Sequence, residues 1–165
     1  NEDIKKIFVI GLSDNDELIR SDCVEYLAAI DLFDNLEKIC NLLDDPSYYV
    51  VYSCLISLAE VNACKERVLE LLINKLKDKN LQSGIVVRIH FALYKLDESY
   101  SVVHLLDCYS ESKDYRDRCA ILSLLAEYCR EVDLPIIKEK LEKLVEPNDF
   151  KSVLSEYNEL VDLLE

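Results

Sequence analysis

The sequence predicts an all-α fold, a right-handed α-α superhelix (solenoid) of about five helix pairs in a single domain over residues 1–165. Two Gly and three Pro in 165 residues are too few for the tight turns of a β fold. Apolar residues also recur at helical spacing along the whole chain. The stretch from Pro46 to Val61 is apolar on nearly every face, and such a helix needs neighbours on several sides.

The first half of the chain predicts five helices with short polar breaks between them. They cover residues 3–12, 17–30, 35–43, 46–61 and 64–77. Ser13, Asp14 or Asp16 suits the cap of the second helix, Asp34 the cap of the third, and Pro46 the first position of the fourth. The predicted inward residues are Ile4, Ile7, Phe8 and Leu12 in the first helix, Ile19, Cys23, Tyr26, Leu27 and Ile30 in the second, and Val50, Cys54, Ser57, Leu58 and Val61 in the fourth.

The second half repeats this unit. One helix carries Ile85 to Leu96, a short one covers Ser101 to Tyr109, and the next contains Ile121 and Leu125. Another runs from Asp133 to Val145, and a last one opens at Asn148 or Asp149 after a break at Pro147, with Leu164 inward. Equivalent core positions are 23, 54, 89, 121 and 157, which are 31 to 36 residues apart. This period predicts five helix pairs.

Three of these copies share a residue pattern around an acidic turn. The first copy has Asp14, Ile19, Arg20, Cys23, Leu27 and Ile30, the second has Asp44, Asp45, Pro46, Val50, Cys54, Leu58 and Val61, and the third has Ile85, Ala92, Leu93 and Leu96. The pattern resembles HEAT-like repeats of the short bilin-lyase type. This resemblance implies a solenoid whose second helices line a concave, protein-binding side. Val51 departs from the family's arginine, which puts the usual ladder between turns in question.

The charge of the chain is strongly acidic and unevenly distributed. The formal charge is −14, and residues 1–64 hold four basic against thirteen acidic side chains. Nucleic acid and anionic membrane surfaces need basic patches, so we expect neither as a partner. We expect instead another protein, of basic character, although acidic charge also serves simply to keep apolar helices soluble.

The residues that usually carry chemistry form no catalytic pattern. Seven Cys without a CxxC pair, most of them among apolar residues, predict reduced core thiols in a cytoplasmic protein. His104 and Cys108 stand four residues apart, but two ligands are too few for a metal site. Gly11 and Gly84 form no phosphate-binding loop. We therefore predict no enzyme, no cofactor and no metal. No stretch contains eighteen consecutive apolar residues, so the sequence predicts no membrane span.

Aromatic residues on the second helices give the clearest indication of a binding surface. Tyr52 and Ile56 point away from the core position Cys54, with Tyr48 and Tyr49 beside them. On the previous second helix the equivalent positions are occupied by the acids Asp22 and Glu25. On the next one they are occupied by Phe91 and Tyr94, beside Arg88. Tyr and Arg dominate binding hot spots, so these nine residues are the predicted partner-binding site. The alternative is that the aromatic residues pack between repeats.

These observations predict a non-enzymatic protein-interaction module. The most concrete form is an acidic inhibitor, such as an immunity protein that neutralises a basic bacterial toxic nuclease. An adaptor or regulatory subunit of a larger complex is the alternative within the same class. In a different class, the resemblance to bilin lyases implies a chromophore-handling enzyme subunit. HEAT-like DNA glycosylases need a basic groove, which this charge excludes.

Overall fold

The computed structural model describes residues 2–146 and 149–164, and all regular secondary structure in these ranges is helical. Its nine α-helices are α1 Glu2–Gly11, α2 Glu17–Asn41, α3 Tyr48–Leu58, α4 Lys65–Lys75, α5 Ser83–Leu96, α6 Val103–Glu111, α7 Tyr115–Tyr128, α8 Leu134–Leu144 and α9 Lys151–Leu164. Short 3₁₀ helices occur at Leu42–Asp44 and Glu131–Asp133. No β-strand occurs in the described ranges, so the all-α prediction is confirmed.

The chain divides into two compact units. The first comprises Asn1–Leu81 with Lys95–Glu98, and the second comprises Gln82–Tyr94 with Ser99–Glu165. Each unit has its own buried apolar side chains, and the core of the second includes Tyr109, Ile121 and Leu125. The superhelix and the single domain over 1–165 stay predictions.

Helix α2 contains a kink where the sequence predicts the boundary between two helices. Asp31 has φ −165° and ψ 83°, which is not helical, so the chain changes direction after Ile30. The Asp31 side chain accepts a hydrogen bond from the backbone N–H of Asp34 at 3.1 Å, as a capping residue does. Asp34 was the predicted cap, and this prediction is wrong: its carboxylate instead pairs with Lys5 at 3.1 Å.

Helix α3 begins two residues later than predicted. Pro46 lies before the helix, Ser47 is the residue that precedes its first turn, and Tyr48 is the first helical residue. The reason is Asp45, whose Oδ1 accepts the backbone N–H of Ser47 at 2.8 Å and holds the turn in a non-helical conformation. The predicted break at Pro147 and the cap at Asn148 lie outside the described residues, as does the side chain of Leu164.

An arginine joins two successive turns in each unit. In the first unit Arg20 forms two hydrogen bonds with Asp45, at 2.9 and 2.8 Å, and donates to the carbonyl of Asp14. In the second unit Arg118 pairs with Asp149 at 2.8 Å and donates to the carbonyl of Ser112. Both arginines reach the carbonyl six residues earlier and an aspartate in the next turn. The turns after residue 12 and residue 111 are therefore built alike.

Burial confirms the predicted core in the middle of the chain but not at its first two helices. Cys23, Cys54, Ile89 and Ile121, four of the five equivalent positions, are buried, and the fifth, Tyr157, is half-buried. The sequence also placed Ile73 of α4 and Tyr128 of α7 inward, and both are exposed. In the first two helices, the side chains that the sequence placed inward and the structure leaves exposed are Ile4, Ile7, Ile19, Tyr26 and Ile30. Their stripe is apolar as predicted. The prediction of burial is wrong because the packing of α1 on α2, in which Phe8 stacks on Tyr26, leaves these side chains largely accessible to solvent.

Candidate functional site

Helices α2 and α3 approach closely through two buried serines. The Oγ atoms of Ser21 and Ser53 lie 2.8 Å apart, and Ser53 donates to Oε1 of Glu25 at 2.7 Å. Because the single hydroxyl proton of Ser53 goes to Glu25, Ser21 is the donor to Ser53. These bonds hold the carboxylate of Glu25 against the next helix. They place Glu25 of α2 beside Ser53, the residue that follows Tyr52 in α3.

The tyrosines of α3 form one aromatic group on its outer side. The rings of Tyr48 and Tyr52 stack with centroids 5.8 Å apart, and Tyr49 meets Tyr48 edge-on at 6.0 Å. Tyr49 is 54% exposed, whereas Tyr48 and Tyr52 are half-buried and Ile56 is exposed. Partly exposed phenol rings that brace one another present a large, rigid contact area. The six residues of this side of the first unit are called the acid–tyrosine surface: Asp22, Glu25, Tyr48, Tyr49, Tyr52 and Ile56.

The carboxylates of the acid–tyrosine surface are not neutralised within the described chain. Asp22 and Glu25 are both exposed, and neither forms an ion pair with a described residue. Carboxylates attract a cation by charge, and phenol rings attract it by their quadrupole. This surface is therefore chemically suited to Lys and Arg side chains.

The three remaining residues of the predicted site belong to the second unit. Phe91 is buried against Tyr128, with ring centroids 5.2 Å apart, and Tyr94 is only 3% exposed. Arg88 is half-buried. Phe91 and Tyr94 therefore belong to the buried core of the second unit, while packing of aromatic residues between repeats stays a prediction. We leave them out of the acid–tyrosine surface.

Tyr94 is fixed by a polar network that reaches from α5 to the turn before α8. Its hydroxyl donates to Asp133 at 2.8 Å and accepts the backbone N–H of Arg130 at 2.9 Å. The guanidinium of Arg130 lies 4.1 Å from the centre of the Tyr94 ring and donates to Asp133. Every polar atom of the phenol is used inside the second unit. The role of Tyr94 is structural.

Tyr26 was missed as a surface residue. The helical period placed it in the core, yet its ring is 56% exposed and stacks on Phe8 with centroids 4.8 Å apart. A signal was present in the residue type, because a tyrosine in an otherwise aliphatic stripe tolerates contact with water.

Burial keeps the thiols of Cys54 and Cys108 protonated. All seven cysteines are free, and burial raises the pKa of Cys108 to about 11 and that of Cys54 further. A thiol of that pKa stays protonated at neutral pH and is a poor nucleophile. No three His, Cys, Asp or Glu side chains in the described ranges are arranged to hold a metal ion.

The two histidines meet in the second unit. Nδ1 of His90 lies 2.7 Å from the hydroxyl of Tyr100, and the His90 and His104 rings stack with centroids 5.6 Å apart. Burial, reinforced by His104 and opposed by Asp107, lowers the pKa of His90 to about 4. The folded state therefore holds His90 as a neutral imidazole.

This pKa predicts a stability change in mild acid. The pKa of His90 in the folded state lies below the ordinary 6.5. The contribution of neutral His90 to the free energy of unfolding is therefore complete above pH 6.5 and is lost as the pH falls towards 4. Between about pH 7.5 and pH 5, the free energy of unfolding of the wild type should fall by about 1–2 kcal/mol more than that of His90→Gln. Urea unfolding of both proteins at each pH measures this difference. Parallel pH profiles of the two proteins would contradict the prediction.

Comparison of the chain with protein-family models and with curated protein sequences finds no match. The resemblance to HEAT-like repeats accordingly stays a prediction. In the described part of the chain, no helix combines the length and the apolar character that crossing a membrane requires.

Proposed function

We propose that this chain is a non-enzymatic protein-interaction module built of HEAT-like repeats. It binds a basic protein through the acid–tyrosine surface. In its most specific form it is a cytoplasmic inhibitor that neutralises a basic partner such as a toxic nuclease, in the manner of an immunity protein. The observation that carries the proposal is the cluster of partly exposed tyrosines on α3 together with the exposed carboxylates of Asp22 and Glu25 on the adjacent helix α2.

The repeat architecture is supported by the two matching arginine turns. A repeated unit explains why Arg20 and Arg118, in different units, make the same pair of contacts to a carbonyl and to the next aspartate. Stacked repeats present their second helices side by side, as α2 and α3 do here, and such surfaces serve mainly for binding.

The charge supports the choice of a basic partner and the mode of inhibition. Acidic residues outnumber basic ones about threefold in residues 1–64, which include the whole acid–tyrosine surface. Long-range attraction of this kind speeds association, while the burial of aromatic rings slows dissociation. A nuclease needs a cationic surface for its own substrate, so an acidic protein that covers that surface blocks it. An adaptor in a larger complex would use the same surface without blocking an activity.

The experiment begins with capture on the immobilised chain and continues with the affinity of the purified partner. The test variant is Tyr49→Ala with Asp22→Lys, because both side chains are exposed. The matched control is Val132→Ala with Glu131→Lys, which makes the same kind of change on an exposed segment of the second unit. We expect the test variant to bind about a hundredfold more weakly and the control to bind within threefold of the wild type.

Two results would contradict the proposal. One is an equal effect of the test and control variants, which would mean that overall charge alone drives binding. The other is a captured partner with an acidic surface. For the inhibitor in particular, an equimolar amount of the chain should abolish the activity of the partner, and undiminished activity in the complex would assign the chain to adaptors.

A further inference from the structure

A cavity in the first unit lies between α1 and the part of α2 that follows its kink. Residues of α1 between positions 5 and 10 form one wall, and residues of α2 between positions 34 and 38 form the other. Its volume is about 500 Å³, and it is open to solvent. Clefts of about 300–1,000 Å³ are the usual sites of small-molecule ligands. We call it the lysine cavity, after Lys5, Lys6 and Lys38 in its walls.

The kink of α2 and an ion pair fix the two walls of the lysine cavity. Asn35 is fully buried, and its Nδ2 donates to the carbonyl of Asp31, the residue at the kink, at 2.8 Å. Lys5 reaches from the wall of α1 to Asp34 on the wall of α2 at 3.1 Å. The cavity is therefore formed before any ligand enters, and a preformed site spares the ligand the cost of ordering it.

The lysine cavity collects positive charge within an acidic chain. Residues 1–64 contain four basic side chains, and three of them line this cavity. Lys5 is already paired with Asp34, the carboxylate in the lining. Lys38 is exposed and forms no ion pair or hydrogen bond with a described residue. Lys38 is therefore one ammonium group that a ligand can use.

Lys6 provides a second such group. It pairs with Asp3 at 3.3 Å, where the two side chains are 71% and 83% exposed. An exposed pair of this kind contributes little stability, so a ligand displaces it at small cost. Lys6 and Lys38 lie on opposite walls, and an anion between them is attracted from both sides.

The remaining surface of the lysine cavity is apolar. Val9 and Ile10 lie on the wall of α1, and the Ile10 side chain is 74% exposed. The hydrocarbon stems of the lysines add to this surface. The net charge of −14 repels anions at long range, but at physiological salt charges beyond about 8 Å are screened. The nearest groups, ammonium and hydrocarbon, therefore decide which molecule enters.

We propose that the lysine cavity binds a small organic carboxylate with an apolar chain. Lys6 and Lys38 bind the carboxylate, and Val9 and Ile10 contact the chain. This site is separate from the acid–tyrosine surface, which lies on the first half of α2 and on α3. Its occupation requires no protein partner, so it can be tested whether or not the proposed function holds.

The test measures binding of three probes to the whole chain by isothermal titration calorimetry at physiological salt. Octanoate has both features of the proposed ligand, 1-octanol has the chain without the charge, and acetate has the charge without the chain. We expect octanoate to bind about tenfold more tightly than either of the others. Lys6→Gln with Lys38→Gln should lower the affinity for octanoate about tenfold, the combined effect of two exposed ion pairs, and leave that for octanol within about threefold. Both lysines are exposed, so the variant keeps its fold.

Matched controls separate the lysine cavity from general charge and apolar attraction. Lys77→Gln with Lys79→Gln makes the same change of charge on exposed residues of the first unit and should leave the affinity for octanoate within about threefold. Ile10→Gln should weaken octanoate and octanol alike, whereas Ile73→Gln on α4 should weaken neither.

Three results would overturn the proposal. The first is no measurable binding of octanoate. The second is binding of octanol or acetate as tight as that of octanoate, which would mean that the cavity does not recognise the charge and the chain together. The third is an affinity for octanoate that Lys6→Gln with Lys38→Gln lowers no more than the control pair does, which would place the bound molecule elsewhere.

Discussion

Replacing Tyr94 by Ala is expected to lower the free energy of unfolding by about 3–5 kcal/mol, the range for deleting a large buried aromatic side chain. The ring fills core space beneath the guanidinium of Arg130, and its hydroxyl satisfies both Asp133 and a backbone N–H. The substitution leaves a cavity, removes one of the two donors to Asp133 and removes the acceptor of the Arg130 backbone N–H. Urea unfolding followed by circular dichroism measures the change.

Two comparison variants separate the loss of the buried ring from the loss of the hydroxyl bonds and from the removal of an exposed tyrosine. Tyr94→Phe keeps the ring and loses only the hydroxyl bonds, so it should cost about 1–2 kcal/mol. Tyr49→Ala removes an exposed tyrosine and should leave the unfolding free energy within about 0.5 kcal/mol of the wild type. If Tyr94→Ala and Tyr49→Ala proved equally mild, Tyr94 would not be the core residue described here.

Replacing Asp45 by Ala is expected to cost about 2–4 kcal/mol, because it leaves the partner arginine without its carboxylate. The side chains of Arg20 and Asp45 are only 13% and 7% exposed, and Asp45 also holds the backbone N–H of Ser47. The loss therefore affects the turn before α3 as well as the ion pair. Thermal and urea unfolding of the variant measure the change.

The exposed pair of Arg67 and Glu37 is the control, and Glu37→Ala should change stability little. Hydrogen bonding from Arg20 lowers the pKa of Asp45 below its usual value. A carboxyl with a lowered pKa stabilises the fold above its unfolded pKa and loses that contribution as the pH falls through the folded one. The difference between wild type and Asp45→Ala should therefore shrink in strong acid. Equal effects of Asp45→Ala and Glu37→Ala at neutral pH would contradict the prediction.

Helical content and core positions could be predicted from the sequence because both follow from local spacing. Cys54 and Ile121 are buried as the period requires. The start of α3 could not be predicted, because it depends on a side-chain bond from Asp45 that competes with the preference of Pro46 for a first helical turn. The exposure of Ile19 could not be predicted either, since a helix stripe does not reveal whether a neighbour covers it.

Long-range contacts decide which residues of the predicted site are exposed and which are buried. Tyr52 and Tyr94 occupy comparable places on their helices, and the sequence treats them alike. Tyr94 becomes a core residue because Arg130 and Asp133, more than thirty positions later, close over it. The exposure of Tyr49 and the stacking of Tyr48 on Tyr52 likewise depend on the packing of α3 beside α2. Helical spacing alone carries none of this information.

Tyrosine ring resonances, recorded by NMR during titration with the captured basic partner, test the acid–tyrosine surface most directly. The account predicts that the signals of Tyr48, Tyr49 and Tyr52 shift as the complex forms, whereas those of the buried Tyr94 and Tyr109 do not. Raising the salt concentration should weaken these shifts. A saturated complex in which the three α3 tyrosines keep their free positions would contradict the account.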